Sequence, residues 1–169
     1  VTASCLIAIG FIGLGFGDMK KLSHNELLAL RKSVEEVHLG EKHPVVLLVE
    51  NVRSLYNVGS LFRTCDAAGI EMMILCGFTP FPPRKEIEKT SLGATETVKW
   101  MYYPTVGEAI HHLKNKGYCI VGLELTDNAI PYDSLELRHY PLCIVIGNEL
   151  TGISNDTLGL CDLSVQIPM

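Results

Sequence analysis

Asn57, Ser60 and Arg63 are the residues whose types and spacing best suit chemistry on a phosphate or a sugar. They lie in the stretch NVRSLYNVGSLFRTCDAAGI, directly after the apolar run Val45–Val49. Free backbone amides and the positive dipole end of a helix favour anions. An arginine adds a permanent planar cation that matches phosphate or ribose oxygens. The alternative is a helix cap beside a surface arginine, and this stretch alone does not decide between the two.

A second candidate is the segment CIVIGNELTGIS, in which Glu149 stands between Gly147 and Gly152 at the end of an apolar run. Glycines allow a backbone to approach a ligand closely or to turn sharply. A carboxylate at the end of a buried strand is costly unless it is paired or hydrogen-bonded. The alternative is a tight turn with a solvated glutamate. A third piece is the chain's end, VQIPM, where a strand pattern runs into proline.

Apolar runs that alternate with helical periodicity predict an α/β fold with a parallel sheet covered by helices on both faces. The helix after the elbow is expected from about Leu61 to Gly69, with Asn57 and Ser60 at its start. The first part of 78–91 is expected to be a loop because it holds three prolines. The other predicted elements are strands at 45–49, 72–76, 97–102, 118–123, 142–146 and 163–167, and helices at 24–39, 105–117 and 155–161.

Length and composition favour one globular domain, since 169 residues with 47% apolar content can bury a core. The net charge of −5 argues mildly against a nucleic-acid partner, because such proteins are usually basic. Local charge can override the total. The predicted phosphate contacts are the basic residues in loops or helix starts beside the elbow: Arg53, Arg84, Lys85 and Lys89.

The six cysteines form no C-x-x-C pair and mostly fall within apolar patterns. Reduced, buried cysteines of a cytosolic protein look like this, so neither a zinc site nor a disulfide framework is expected. The apolar run Cys5–Gly17 is too short to span a bilayer, which takes about 20 residues, and no positive charge precedes it. Residues 1–18 are therefore predicted to be a leader outside the fold, with the domain covering 19–169.

Taken together, the three pieces resemble the ordered motifs of the SpoU family of RNA 2′-O-ribose methyltransferases, in the SPOUT superfamily of knotted α/β proteins. NVRSLYNVGSLFRTCDAAGI is similar to the first motif, IGNELTGIS to the second, and QIPM to the opening of the third. KTSLGATETVKW resembles a stretch common in bacterial members. The resemblance implies a knot whose closing C-terminal segment is absent from this sequence.

The resemblance also implies roles for individual residues. Asn57 and Arg63 match the first motif's asparagine and essential arginine, and Glu149 matches the acidic residue of the second. A guanidinium stays protonated in proteins, so we expect Arg63 to orient the ribose and stabilise charge rather than to act as a base. S-adenosylmethionine is expected against backbone around Leu123, Glu124, Gly147, Asn148, Gly152, Ile167 and Met169.

The implied function is transfer of a methyl group from S-adenosylmethionine to a ribose 2′-hydroxyl of tRNA or rRNA. We expect a cytoplasmic homodimer that needs no metal and no membrane. One alternative is a non-catalytic RNA-binding relative. Another is a Rossmann-type oxidoreductase, which is disfavoured because no G-x-G-x-x-G follows any predicted strand.

Overall fold

The computed structural model describes residues 20–30 and 32–168 of the chain. The chain divides into two compact units, with the boundary between Ser33 and Val34. In the first unit, helix α1 (His24–Ala29) begins with the predicted capping box between Ser23 and Glu26. The predictions for residues 1–18 and for Met169 lie outside the described residues.

The predicted continuous helix over 24–39 is wrong. Helix α1 ends at Ala29, and α2 (Val34–Leu39) belongs to the second unit. Neither helix buries a residue, so no packed apolar face holds a single long helix together. A fresh start signal precedes α2, since Ser33 stands where a cap is expected and Glu35 and Glu36 occupy the first turn.

The second unit is built on a seven-stranded sheet in which every strand pairing is parallel. The strand order is β3-β2-β1-β6-β4-β7-β5. All strands therefore end at the same edge, and β1 lies beside β6 near the centre. The strands are β1 (His43–Glu50), β2 (Ile70–Cys76), β3 (Lys99–Tyr103), β4 (Cys119–Leu123), β5 (Ile130–Pro131), β6 (Leu142–Ile146) and β7 (Leu163–Gln166).

Helices cover both faces of this sheet, which confirms the predicted class. The helices of the second unit after α2 are α3 (Leu55–Ala67), α4 (Lys85–Ser91), α5 (Ala94–Thr97), α6 (Val106–Asn115) and α7 (Asn155–Leu158), with short 3₁₀ turns at Tyr132–Ser134 and Leu137–His139. One core cluster joins the sheet to α3 and α4 through Phe62 and Ile87. The other joins it to α6 through Ile110 and Leu113. In the part of the chain that the structure describes, no helix combines the length and apolarity needed to cross a bilayer.

Helix α3 starts earlier than predicted. Ser54 is its N-cap, and the Ser54 hydroxyl accepts a 3.2 Å hydrogen bond from the Asn57 amide. Asn57 is therefore in the first turn, whereas Ser60 lies well inside the helix. Gly59 also lies within the helix. Its lack of a side chain is required by packing, because a Cβ on Gly59 would collide with the Ile87 carbonyl of α4. The predicted end is correct, since Gly69 follows the helix with a φ of 61°.

The expectation of buried, reduced cysteines is confirmed for the described residues. Cys65, Cys76 and Cys143 are buried, and all five described cysteines are free. Burial raises the pKa of Cys65 and of Cys76 to about 12. These thiols stay protonated at neutral pH and act as small apolar core residues.

Candidate active site

The carboxylate of Glu149 binds the N-terminal end of α3. Its Oε2 accepts a hydrogen bond from the Arg53 amide at 3.2 Å, and its Oε1 accepts from the Ser54 amide and the Asn57 side chain, each at 3.1 Å. Helix starts leave such amides without partners inside the helix. The anion predicted at this helix start is therefore supplied by the protein itself.

These contacts also set the ionisation of Glu149. Desolvation would raise the pKa of its carboxyl, but hydrogen bonds from its own backbone, from the Arg53 and Ser54 amides and from Asn57 outweigh desolvation and lower the pKa. The group stays ionised at neutral pH, and its oxygens are already engaged. This arrangement suits a residue that positions α3 better than one that exchanges protons with a substrate.

Asn148 holds the loop that carries Glu149. Its Nδ2 donates to the Asn51 carbonyl at 2.7 Å, and its Oδ1 accepts from the amides of Leu150 and Thr151 at 2.9 and 3.3 Å. The backbones of Asn148 and Gly152 pair directly. The Asn148 side chain is thus committed to the turn, so any contact with a cofactor falls to its backbone.

The two glycines allow this loop to turn sharply, which is one of the two roles that the sequence suggested for them. A Cβ on Gly147 would collide with the backbone of Gly152, and a Cβ on Gly152 would collide with the Glu124 carboxylate. Gly152 also has a φ of 67°, which favours glycine. Both glycines therefore allow close backbone and side-chain approaches within the chain.

Two further carboxylates hold the end of the same loop. Glu124 accepts from the Ile153 amide at 2.9 Å and from the Leu125 amide at 3.1 Å. Glu50, only 3% exposed, accepts from the Ser154 amide at 3.1 Å, the Ser154 hydroxyl at 2.7 Å and the Thr157 hydroxyl at 2.9 Å. The loop between β6 and α7 is thus tied to the ends of β1 and β4.

Sequence reasoning missed Glu50. The available signal was a lone acidic residue that closes the otherwise apolar run of β1, PVVLLVE. Such a carboxylate must find hydrogen-bond donors when it is buried. Nothing in the local pattern points to Ser154 and Thr157, which lie more than a hundred residues further along the chain.

Arg63 is exposed on the outer part of α3. Within residues 20–30 and 32–168 its side chain makes no hydrogen bond or ion pair. Asn57 and Glu149, in contrast, are in direct contact and line a cavity of about 330 Å³ between α3 and the end of β6, together with Gly147. The structure therefore joins two of the three predicted catalytic residues and leaves the third free to meet a ligand.

The predicted cofactor residues divide between two places. Leu123, Glu124 and Ile167 line a cavity of about 240 Å³ at the ends of β4 and β7. Gly147 lines the α3 cavity instead. The wall at β4 and β7 is largely apolar, with Leu125 68% and Ile167 54% exposed. The volume of this cavity is below the roughly 300–1,000 Å³ of most ligand pockets.

The four predicted phosphate contacts are all exposed, but they lie in two places. Arg53 borders a groove beside Glu149. Arg84 is the N-cap residue of α4, and Lys85 is its first residue. Lys89 lies in the last turn of α4, not at a helix start, and its Nζ is 5.9 Å from the centroid of the Tyr56 ring on α3. In the described ranges no cluster of three or more acidic, histidine or cysteine side chains has the geometry to hold a metal ion.

This architecture and its motifs match a known family. Residues 44–169 match the model of the SpoU rRNA Methylase family, and the chain belongs to that family. The tRNA (guanosine(18)-2′-O)-methyltransferase of Escherichia coli strain K12 is 30% identical over 132 residues, which are 78% of this chain and 56% of the relative. A putative TrmH family tRNA/rRNA methyltransferase of Staphylococcus saprophyticus is 33% identical over 129 residues, 76% of this chain and 51% of the relative.

Solved structures agree on the fold. The SpoU methyltransferase AviRb of Streptomyces viridochromogenes, in complex with the cofactor AdoMet, superimposes with a TM-score of 0.68 at 25% identity, covering 81% of this chain and 55% of that one. The TrmH/SpoU tRNA modifying enzyme of A. aeolicus gives a TM-score of 0.70 at 24% identity, covering 80% and 68%. The chain spans about half the length of the relatives it matches by sequence.

Proposed function

We propose that residues 19–169 form the catalytic domain of a cytoplasmic RNA 2′-O-ribose methyltransferase that uses S-adenosylmethionine and works as a homodimer on tRNA or rRNA. The observation that carries the proposal is Arg63, a cation with no hydrogen bond or ion pair among the described residues, on a helix whose start is fixed by Asn57 and Glu149. Family membership and the names of the relatives support the reaction and the substrate class.

The wall at β4 and β7 fits the apolar part of the cofactor. Leu123, Leu125, Val165 and Ile167 present apolar side chains suited to a flat adenine ring. Bound S-adenosylmethionine would supply an electrophilic methyl group on a sulfonium. We also propose that the parallel sheet belongs to a knotted fold of the SPOUT type. The absence of the segment that closes the knot stays a prediction.

Arg63 acts on the acceptor side of the reaction. Its guanidinium donates to the ribose oxygen or to the neighbouring phosphate, which orients the 2′-hydroxyl and stabilises the negative charge that develops on this oxygen as its proton passes to solvent water and the methyl group is transferred. Glu149 and Asn57 contribute by fixing α3, because orientation of this kind is lost when the supporting helix moves by about 1 Å. In this proposal Asn57 and Glu149 are thus positioning residues.

Transfer of tritiated methyl groups from S-adenosylmethionine to unmodified bulk tRNA and rRNA tests the function. We expect the wild-type chain to label RNA and the label to reside in 2′-O-methylated nucleosides. RNA binding without transfer would contradict the proposal and favour the non-catalytic RNA-binding relative. Label on a base instead of a ribose would contradict the reaction type.

A further inference from the structure

Three aromatic rings cluster at the edge of the sheet, outside the site described above. The Phe81 ring lies 4.7 Å from that of Tyr102 and 6.1 Å from that of Trp100, centroid to centroid, and it is stacked on Trp100 at an interplanar angle of 28°. Phe81 and Tyr102 are each 39% exposed. Trp100 and Tyr102 belong to β3, the edge strand, and Phe81 belongs to the loop that follows β2.

This cluster is fixed relative to the site. Asn51 accepts from the Phe78 amide at 3.1 Å, and the Thr79 hydroxyl accepts from the Val52 amide at 3.2 Å and donates to the Val49 carbonyl at 3.2 Å. The Tyr102 hydroxyl donates to the Gly77 carbonyl at 2.9 Å. The aromatic loop is therefore bonded to the segment that leads into α3.

The cluster is also close to the site and on the same face. Trp100 packs against the core cluster beneath α3, α4 and α5. In the sheet, β3 lies two strands from β1. Since neighbouring strands are about 4.8 Å apart, the rings lie on the order of 10 Å from the end of β1 along the sheet. The rings therefore lie near the segment that leads from β1 into α3.

The charged side chains next to the rings suit a polyanionic ligand that is bound by its bases as well as by its phosphates. Arg84 and Lys85 follow the aromatic loop directly and are exposed. Glu86 and Glu88 stand in the same first turn and offset part of their charge. Exposed rings with nearby cations are features of surfaces on which unpaired bases stack.

We propose that Phe81, Tyr102 and Trp100 form a stacking surface for an unpaired base of the RNA, next to the nucleotide presented to Arg63. This inference rests on the proposed function for the identity of the ligand as RNA. It adds a substrate class, namely an RNA whose target lies in a loop or single strand with a neighbouring base free to stack. Paired bases in a helix expose no such face.

Trp100 is the chain's single tryptophan and reports on the cluster directly. Full-length protein is titrated with a short oligoadenylate and, in parallel, with an abasic oligoribonucleotide of equal length and charge. Binding is followed by anisotropy of labelled oligomer and by quenching of Trp100. We expect quenching with the oligoadenylate only, and affinity at least about fivefold tighter than for the abasic oligomer.

Two substitutions and one matched control isolate the rings. Phe81→Leu keeps an apolar side chain and should lower oligoadenylate affinity about fivefold or more, to the abasic level, whereas Phe81→Tyr keeps the ring and should bind normally. Tyr132→Leu removes another exposed ring, 53% exposed and distant in sequence, and should have no effect. Circular dichroism checks that each variant is folded.

Equal wild-type binding of both oligomers, or normal affinity of Phe81→Leu, would overturn the inference. Loss of self-association in Phe81→Leu without any base dependence would mark the rings as a protein contact and would overturn it too. If Phe81→Leu fails to fold, the wild-type comparison and Trp100 quenching decide alone. Methyl transfer measured on the same preparations separates the two proposals, since base-dependent quenching without transfer would defeat only the proposed function.

Discussion

The carboxyl edge of the sheet has two contrasting halves. Around the ends of β1 and β6, the side chains of Glu50, Asn148 and Glu149 satisfy backbone groups of the loops that follow these two strands. Around the ends of β4 and β7, the surface is an open apolar wall that includes Leu125 and Ile167, 68% and 54% exposed. The first half is built from hydrogen bonds to carboxylates and an amide, whereas in the second half exposed apolar side chains surround a single bonded carboxylate, Glu124.

The contrast indicates where each half obtains its order. Carboxylates that accept from backbone amides make strong, geometrically specific contacts, so the half that presents Arg63 is preorganised by the chain itself. An apolar wall gains free energy only when something covers it. In our proposal, the acceptor half is ready before RNA arrives, whereas the cofactor half is completed by its ligand.

The largest effect is expected from Arg63→Ala. Loss of its donors at the reacting ribose should reduce methyl transfer by about a hundredfold or more. Because Arg63 is exposed and unpaired within the described residues, the midpoint of thermal unfolding should not change. Arg63→Lys is the matched control, which keeps the charge and loses the planar fork, and it should recover only part of the rate. Near-normal turnover of Arg63→Ala would contradict the proposal that Arg63 acts on the ribose during methyl transfer.

Replacing Glu50 should test whether the polar half is held by buried contacts. Glu50→Ala leaves the Ser154 amide and the hydroxyls of Ser154 and Thr157 without their acceptor, which should lower the free energy of unfolding by about 2–4 kcal/mol. Urea unfolding measures the loss. Glu50→Gln keeps an acceptor and the side-chain size, so it should lose less. A change below about 1 kcal/mol for Glu50→Ala would mean that the carboxylate is dispensable.

Glu149→Gln should have a smaller effect that depends on pH. The pKa of Glu149 is below its ordinary value of 4.5 in the folded protein, so ionised Glu149 stabilises the fold above that value, and this contribution is lost as pH falls through the lowered pKa. At pH 7 the variant should lose about 1 kcal/mol, as for a removed helix cap. Urea unfolding of both proteins across the acid range should show the difference vanish. A difference that persists at the acid end would contradict the assignment.

The smallest effects are expected at the exposed cations. Replacing Arg53, Arg84, Lys85 and Lys89 together by alanine should flatten the dependence of log RNA affinity on log salt concentration, by at most about 0.9 for each phosphate that the variant no longer neutralises. Lys42→Ala with Lys116→Ala removes cations at other positions and serves as the control. An unchanged slope in the quadruple variant would show that these residues are ordinary solvated charges.

The sequence predicted the sheet because its strands are continuous apolar runs, such as VVLLV in β1 and LCIVI in β6. Such runs mark strands that are covered on both faces, whatever lies around them. It also singled out Asn57 and Glu149, which the structure brings into contact. It misplaced the start of α3, because Ser54 caps the helix, whereas the helix was expected from about Leu61.

The partners of the motif residues were beyond sequence reasoning. Glu149 binds amides that lie 95 and 96 residues earlier in the chain, and Glu50 binds groups 104 and 107 residues later. Periodicity reports only local geometry, so it shows that a carboxylate needs donors but not which donors supply them. The positioning role that we propose for Glu149, and the burial of Glu50 against its donors, came from tertiary contacts alone.

Amide hydrogen exchange with and without S-adenosylmethionine tests the contrast between the two halves most directly. Without ligand, the amides of Arg53, Ser54 and Ile153 should already be protected, because carboxylates accept from them. With the cofactor, the new protection should fall on the amides of 166–167, because those of Glu124 and Leu125 already donate within the chain. Rapid exchange of Arg53 and Ser54 in the free protein, or cofactor-induced protection confined to α3, would contradict the account.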